Sequence, residues 1–131
     1  MKKYKQKDFD GWNNKKKKIE NLVSKKVRKG EVWWAFIGEN IGFEQCGGKR
    51  YERPVVVLDR INYYLALIIP LTSNQKNSDS NFYIKLEGTS STAILPQVRV
   101  ISTKRLRRNI RTIDNKELLK LKSAVRKFFN L

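Results

Sequence analysis

The chain has 131 residues, with 29 Lys and Arg against 12 Asp and Glu and no histidine, for a formal charge of +17. That length gives one domain with a single modest core, and so large a charge implies a polyanionic partner. A histidine acid/base pair, a Ser-His-Asp triad and a His-ligated metal are excluded, while the lone cysteine, Cys46, excludes an intramolecular disulfide and a multi-cysteine zinc site.

Residues 1–29 hold 12 basic and 3 acidic side chains, a net +9. Phe9, Trp12, Ile19, Leu22, Val23 and Val27 fall at helical spacing among Lys15 to Lys18, Lys25, Lys26 and Lys29. This predicts an amphipathic helix from Trp12 to Arg28, with a frayed basic end before it. A docked helix with a solvated lysine face is preferred over an RNA-binding arm or a membrane-surface helix. Gly30 then ends the helix in left-handed geometry. No stretch approaches the ~20 apolar residues of a membrane span, and no apolar run follows the lysine-rich start. The expectation is a soluble, cytoplasmic protein.

From Glu31 to Ile37 the side chains alternate, with Val32, Trp34 and Phe36 on one face and Trp33, Ala35 and Ile37 on the other. Both faces are apolar, which predicts a strand covered on both sides. Gly38 to Glu52 is a glycine-rich, charged loop, expected to act as a mobile flap. It lacks the Gly-Lys-Ser/Thr ending of a phosphate-binding P-loop. Arg53-Pro54 leads into Val55 to Leu58, and Tyr64 to Ile69 forms the next apolar run, so the two predict a central hairpin turning at Asp59 to Tyr63.

Pro70 to Ser73 breaks the second run, and Asn74 to Asn81 reads as a surface loop. Phe82, Ile84 and Leu86 mark a half-exposed strand. Ala93 to Ile101 reads as one further strand, with Pro96 placing it at an edge or at a bulge. Lys104, Arg105, Arg107, Arg108 and Arg111 form the densest arginine cluster, either a solvated turn or a nucleic-acid contact. Asp114 and Glu117 match a capping box, with Ile113 and Leu118 as a staple, so a helix runs to Phe129 and covers one mouth or side of a small barrel.

Five segments in order carry a resemblance: G-E-V-W-W-A (Gly30 to Ala35), F-E-Q-C-G (Phe43 to Gly47), R-P-V-V-V-L (Arg53 to Leu58), I-P-L-T-S (Ile69 to Ser73) and L-P-Q-V-R (Leu95 to Arg99). Together they resemble the PemK/MazF family of toxins. The resemblance implies an α+β, mainly β fold, an SH3-like small barrel with a C-terminal helix. To this the chain adds the N-terminal amphipathic helix. Residues 1–29 are then a basic extension and residues 30–131 the toxin domain.

The resemblance further implies a type II toxin that cleaves single-stranded mRNA as a sequence-selective, metal-independent endoribonuclease. No cofactor is implied. The implied partners are RNA, a cognate acidic antitoxin and a second copy in a homodimer. Arg53 and Thr72 match the family's catalytic pair, and Glu44 is the third catalytic candidate. Gln45, Lys49, Arg50, Ser73, Lys76, Gln97 and Arg99 are the RNA-binding candidates. One departure is the longer spacing between Gly47 and Arg53 than in shorter members, which affects where Glu44 lies relative to Arg53.

The residue types suit such chemistry. Attack of a 2′-hydroxyl on phosphorus adds negative charge to the phosphoryl oxygens, and an arginine meets it with permanent charge and five donors. Arginine is a poor general base because its pKa lies far above neutral. Thr72 can donate to the phosphate or orient the 2′-hydroxyl, and Glu44 can accept a proton. Other roles exist for each: an ion pair of Arg53 with Glu52 or Asp59, a turn cap at Thr72, a solvated acid at Glu44. The alternative functions are a gyrase poison on a similar barrel and a non-catalytic RNA-binding module.

Overall fold

The computed structural model describes residues 6–42, 44–73 and 81–131. In chain order these form helix α1 (Phe9–Glu20), strands β1 (Glu31–Phe36), β2 (Glu52–Arg60), β3 (Leu65–Thr72), β4 (Tyr83–Lys85), β5 (Thr92–Ile94), β6 (Arg99–Ser102) and β7 (Leu106–Thr112), and helix α2 (Asn115–Phe129). Among the described residues the seven strands run β4-β5-β3-β2-β1-β7, with β6 also alongside β3. Each pairing is antiparallel. No described ladder joins β4 to β7, so the sheet is not closed.

The central hairpin forms as the sequence predicts. Val55 to Leu58 are buried on both faces, and they pair with β3 in the register Val56↔Ile69 and Val57↔Ile68. The side chain of Asn62 closes the turn by accepting from the N–H groups of Tyr64 at 2.8 Å and Leu65 at 2.9 Å. Contrary to expectation, Pro70 does not end the strand: β3 continues to Thr72. Its neighbour on one side changes there, since β6 pairs as far as Ile68 and β5 begins at Leu71. The proline, having no N–H, sits where that side requires no ladder bond.

The single strand expected over Ala93 to Ile101 is two strands. A 3-10 turn at Leu95–Gln97, with proline in its first turn, separates β5 from β6 and sends them to different stretches of β3. The arginine cluster is a turn only at Lys104 and Arg105; Arg107, Arg108 and Arg111 lie on a strand. Leu106–Thr112 is β7, which pairs with β1 through two register shifts, and a 3-10 turn at Thr103–Arg105 precedes it.

Strand β1 is covered on both faces. Val32 joins Val56, Leu58, Ile69 and Leu71 in a core capped by Leu118 and Leu121 of α2. Trp33, Ala35 and Ile37 join Val55, Val57, Ala66, Ile68, Ile101 and Leu106 in a second. Helix α2 follows its sequence signals: Asp114 accepts from the Glu117 N–H at 2.8 Å, and the helix ends at Phe129 with Asn130 in the left-handed region. The Glu117 carboxylate, however, takes the N–H of Glu87 in the turn after β4.

The first helix departs from its predicted bounds. It starts at Phe9 because Asp8 caps it, accepting from the Gly11 N–H at 2.9 Å, and it stops at Glu20. Leu22 and Val23 are exposed, whereas Val27 enters the second core from non-helical chain. Gly30 therefore ends no helix. Its φ of +90° opens β1, where its N–H donates to Val57 and its carbonyl accepts from Ile113. Helix α1 is docked: Trp12 and Ile19 pack with Phe36 in a third small cluster.

Candidate active site

Arg53 stands near the start of β2, and its guanidinium is aimed by backbone rather than by acid. Nε donates to the Cys46 carbonyl at 2.7 Å and Nη1 to the Leu71 carbonyl at 3.1 Å. The Nη2 end carries neither bond. Burial lowers the guanidinium below its ordinary pKa, opposed by electrostatic interaction with Cys46. The ion pairs considered from sequence go elsewhere: Glu52 pairs with Arg107, and Asp59 with Lys122 at 3.7 Å.

A cavity of about 590 Å³ opens beside Arg53, lined also by Trp34, Arg50, Glu52, Thr72, Ser73 and Ser91. Arg53 and Thr72 reach it from adjacent strands. Since Val55 lies opposite Pro70, carrying the antiparallel register on by two residues brings Arg53 opposite Thr72. The cavity combines two arginines, hydroxyl donors and one carboxylate, a set that suits a phosphodiester.

Four other candidates gather in a second cavity of about 570 Å³, where Glu44, Gln45, Gln97 and Arg99 are joined by Asn40 and Pro96. The Gln97 side chain accepts from the Gln45 N–H at 3.0 Å, tying the glycine-rich loop to the turn between β5 and β6. Glu44 is exposed and accepts from the Ile41 N–H at 3.1 Å. It lines this second cavity, while the carboxylate lining the Arg53 cavity is Glu52. The side chain of Lys49 and the whole of Lys76 lie outside the described residues.

The loop expected to be a flap is heavily tied. The Gly47 N–H donates to Gly38 at 2.8 Å, the Gly48 N–H to Glu52 at 2.8 Å, and both Ile37 and Gly38 donate to the Tyr51 carbonyl at 2.9 Å. Asn40 bridges the Ile37 and Gln45 carbonyls. A Cβ on Gly47 would lie 2.2 Å from the Tyr51 carbonyl, so that chain crossing requires glycine. Sequence reasoning missed Trp34, Glu52 and Ser91 as lining residues. The available signal for Glu52 was its position directly before Arg53.

Much of the arginine cluster is engaged. Arg105 donates to the Phe36 carbonyl at 3.2 Å and lies 5.6 Å from the Trp12 ring; burial, and then the charge of Arg99, lower its pKa. Lys104 donates to the Glu20 carbonyl at 2.8 Å. Among the described residues no three His, Cys, Asp or Glu side chains converge as metal ligands, and no helix is long and apolar enough to cross a membrane.

Residues 28–129 match the profile of the PemK-like, MazF-like toxins of type II toxin–antitoxin systems. The chain belongs to this PemK/MazF family. Its fold is similar to that of MazF from Deinococcus radiodurans, with a TM-score of 0.65 and 21% identity over 80% of this chain and 97% of that one. The MazF of a MazE–MazF structure from the same organism aligns with a TM-score of 0.60 and 19% identity over 80% of this chain and 97% of that one. An endoribonuclease in complex with its cognate antitoxin, from a mycobacterial species, aligns with a TM-score of 0.59 and 9% identity over 81% of this chain and 97% of that one. A search of curated proteins found no match.

Proposed function

We propose that this chain is a sequence-selective, metal-independent endoribonuclease that cleaves single-stranded mRNA and is held in check by a cognate acidic antitoxin. The observation that carries the reading is the Arg53 guanidinium, anchored at Nε and Nη1 by two main-chain carbonyls and facing a cavity shared with Thr72. A cation fixed by backbone need not reorganise when charge builds on a phosphoryl group, and partial burial strengthens its field.

In this reading Arg53 grips the scissile phosphate, with Arg50 supplying further positive charge. Thr72 and Ser73 donate to the phosphate or orient the 2′-hydroxyl. Proton acceptance falls to a carboxylate, Glu44 as the sequence reading has it or Glu52 from the Arg53 cavity itself. Gln45, Gln97 and Arg99 line the adjoining cavity and hold a neighbouring nucleotide; Lys49 and Lys76 contribute charge along the strand. The +17 charge supports a polyanionic substrate and an acidic inhibitor alike. Antitoxin complexes among the similar structures support the second partner. Homodimerisation and a cytoplasmic location belong to the same proposal.

The test is to incubate the purified protein, free of antitoxin, with a long defined RNA in excess EDTA, beside a folded Arg53→Ala variant, and to map the cut ends. Cuts at one recurring short sequence, made by the wild type alone, are expected. An uncut RNA, or equal cutting by the variant, would overturn the assignment.

A further inference from the structure

The family match begins at residue 28, so α1 and its cap lie outside it. Yet they make a dense set of contacts with the loop that anchors Arg53. The Tyr51 hydroxyl donates to the Asp8 carboxylate at 2.6 Å, and the rings of Trp12 and Tyr51 stand 5.4 Å apart. The Asp8 N–H donates to Glu39 at 3.0 Å. Lys7 donates to the carbonyls of Asn40 and Gly42.

Two glycines mark how closely the pieces approach. Gly38 has a φ of +85°, and a Cβ there would fall 1.9 Å from the Trp12 ring. Gly11 lies within α1, where glycine ordinarily costs ~0.5–1 kcal/mol relative to alanine. A Cβ on Gly11 would come within 2.3 Å of the Tyr51 hydroxyl and 2.2 Å of the Asp8 carboxylate. The helix thus carries its weakest residue where the tyrosine meets it.

Tyr51 is also in an unfavourable conformation. Its φ is +66° and that of the preceding Arg50 +60°, a region that residues with side chains seldom occupy without support. Its carbonyl receives the N–H groups of Ile37 and Gly38, and the loop that it closes presents the Cys46 carbonyl to Arg53.

We propose that Asp8, Trp12 and Tyr51 form a brace by which the N-terminal helix positions the Arg53 loop for turnover. They are positioning residues and touch no substrate. The inference rests on the reading of Arg53 as the phosphate-binding group. In agreement with the contact, the bond to Tyr51, followed by that to the Gly11 N–H, holds the Asp8 carboxyl below the usual range; the same bond, then burial and then the charges of Asp8 and Glu39, raises the Tyr51 phenol.

The experiment compares full-length wild type with Tyr51→Phe, Asp8→Ala, Asp8→Asn, Trp12→Leu and the Asp8→Ala/Tyr51→Phe pair. Amide hydrogen exchange is followed over residues 38–52, and kcat and KM are measured for RNA cleavage. Exchange in α2 and in the β2–β3 hairpin reports whether each variant is folded. Tyr51→Phe is expected to speed exchange in the loop and to lower kcat roughly fivefold with KM unchanged, the effect of one ordinary hydrogen bond; Asp8→Ala, which also removes the cap on the Gly11 N–H, should do at least as much. The pair should be no worse than Asp8→Ala alone, and Asp8→Asn, whose amide oxygen still accepts from the phenol, should stay near wild type.

Unchanged loop exchange in folded Tyr51→Phe would overturn the brace, as would faster exchange with unaltered kcat. If the wild type cuts no RNA, the functional reading fails separately. Loop exchange then decides the brace alone: faster in Tyr51→Phe upholds it, unchanged removes it.

Discussion

Arg53 holds the Cys46 and Leu71 carbonyls through Nε and Nη1, and under the proposed function the rest of its fork meets a phosphate, two tasks that a lysine cannot combine. Arg53→Lys keeps the charge but loses the planar fork. It is expected to lower kcat on the order of 10²–10³-fold, and to reduce stability by ~1–3 kcal/mol through the carbonyl left unpartnered. Cleavage assays and thermal unfolding measure the two effects separately. Gly47→Ala tests the loop crossing in the same manner. With backbone atoms of Tyr51 2.2 Å from the new methyl, the chain must move, and a loss of ~1–3 kcal/mol is expected in denaturant unfolding.

At this scale the sequence paired Arg53 with Thr72, and the two line one cavity, Arg53 from near the start of β2 and Thr72 from the end of β3. The sequence singled out Glu44 and offered Glu52 only as an ion-pair partner of Arg53. Which carboxylate shares a cavity with Arg53 depends on how the intervening loop crosses itself, and that crossing is made by main-chain bonds from Gly38, Gly47 and Gly48 that no side-chain pattern reveals.

Among elements, those with strong apolar periodicity were legible: β1, the β2–β3 hairpin and α2 all form close to where the pattern places them. Strand β7 was not, because its segment reads LRRNIRT and only Leu106 is buried. An edge strand of this kind takes its structure from pairing with β1 rather than from its own hydrophobicity. The first helix failed in the other direction. Val27 continued the helical spacing, but it enters the core as non-helical chain, seven residues beyond the helix end at Glu20. Helix α2 offers a direct check that periodicity marks real packing. Leu121 is 1% exposed in the core beneath it, so Leu121→Ala should cost ~2–5 kcal/mol in chemical denaturation. Leu119→Ala, at a position 58% exposed on the same helix, should cost well under 1 kcal/mol, roughly the range of surface substitutions.

For the whole molecule the issue is what so much positive charge does when the Arg53 cavity uses only a little of it. Residues 1–29 carry a net +9, and Lys16, Lys17 and Lys18 stand exposed on α1. If α1 acts on the site through Trp12 and Tyr51, these lysines reach RNA only through their field, and such a field is screened over a Debye length of ~8 Å at 0.15 M salt. Replacing all three by serine should slow association with a labelled single-stranded RNA several-fold at low salt. The difference should fade as salt rises, with kcat unaltered throughout. Under the proposed function Arg53→Ala should instead lower kcat and speed dissociation of the RNA, because it removes a phosphate contact in the cavity itself. Stopped-flow association and dissociation across a salt series separate the cases: faster dissociation in the serine variant, beside slower association, would mean that the helix touches RNA directly, giving α1 a second role beside the loop that it supports.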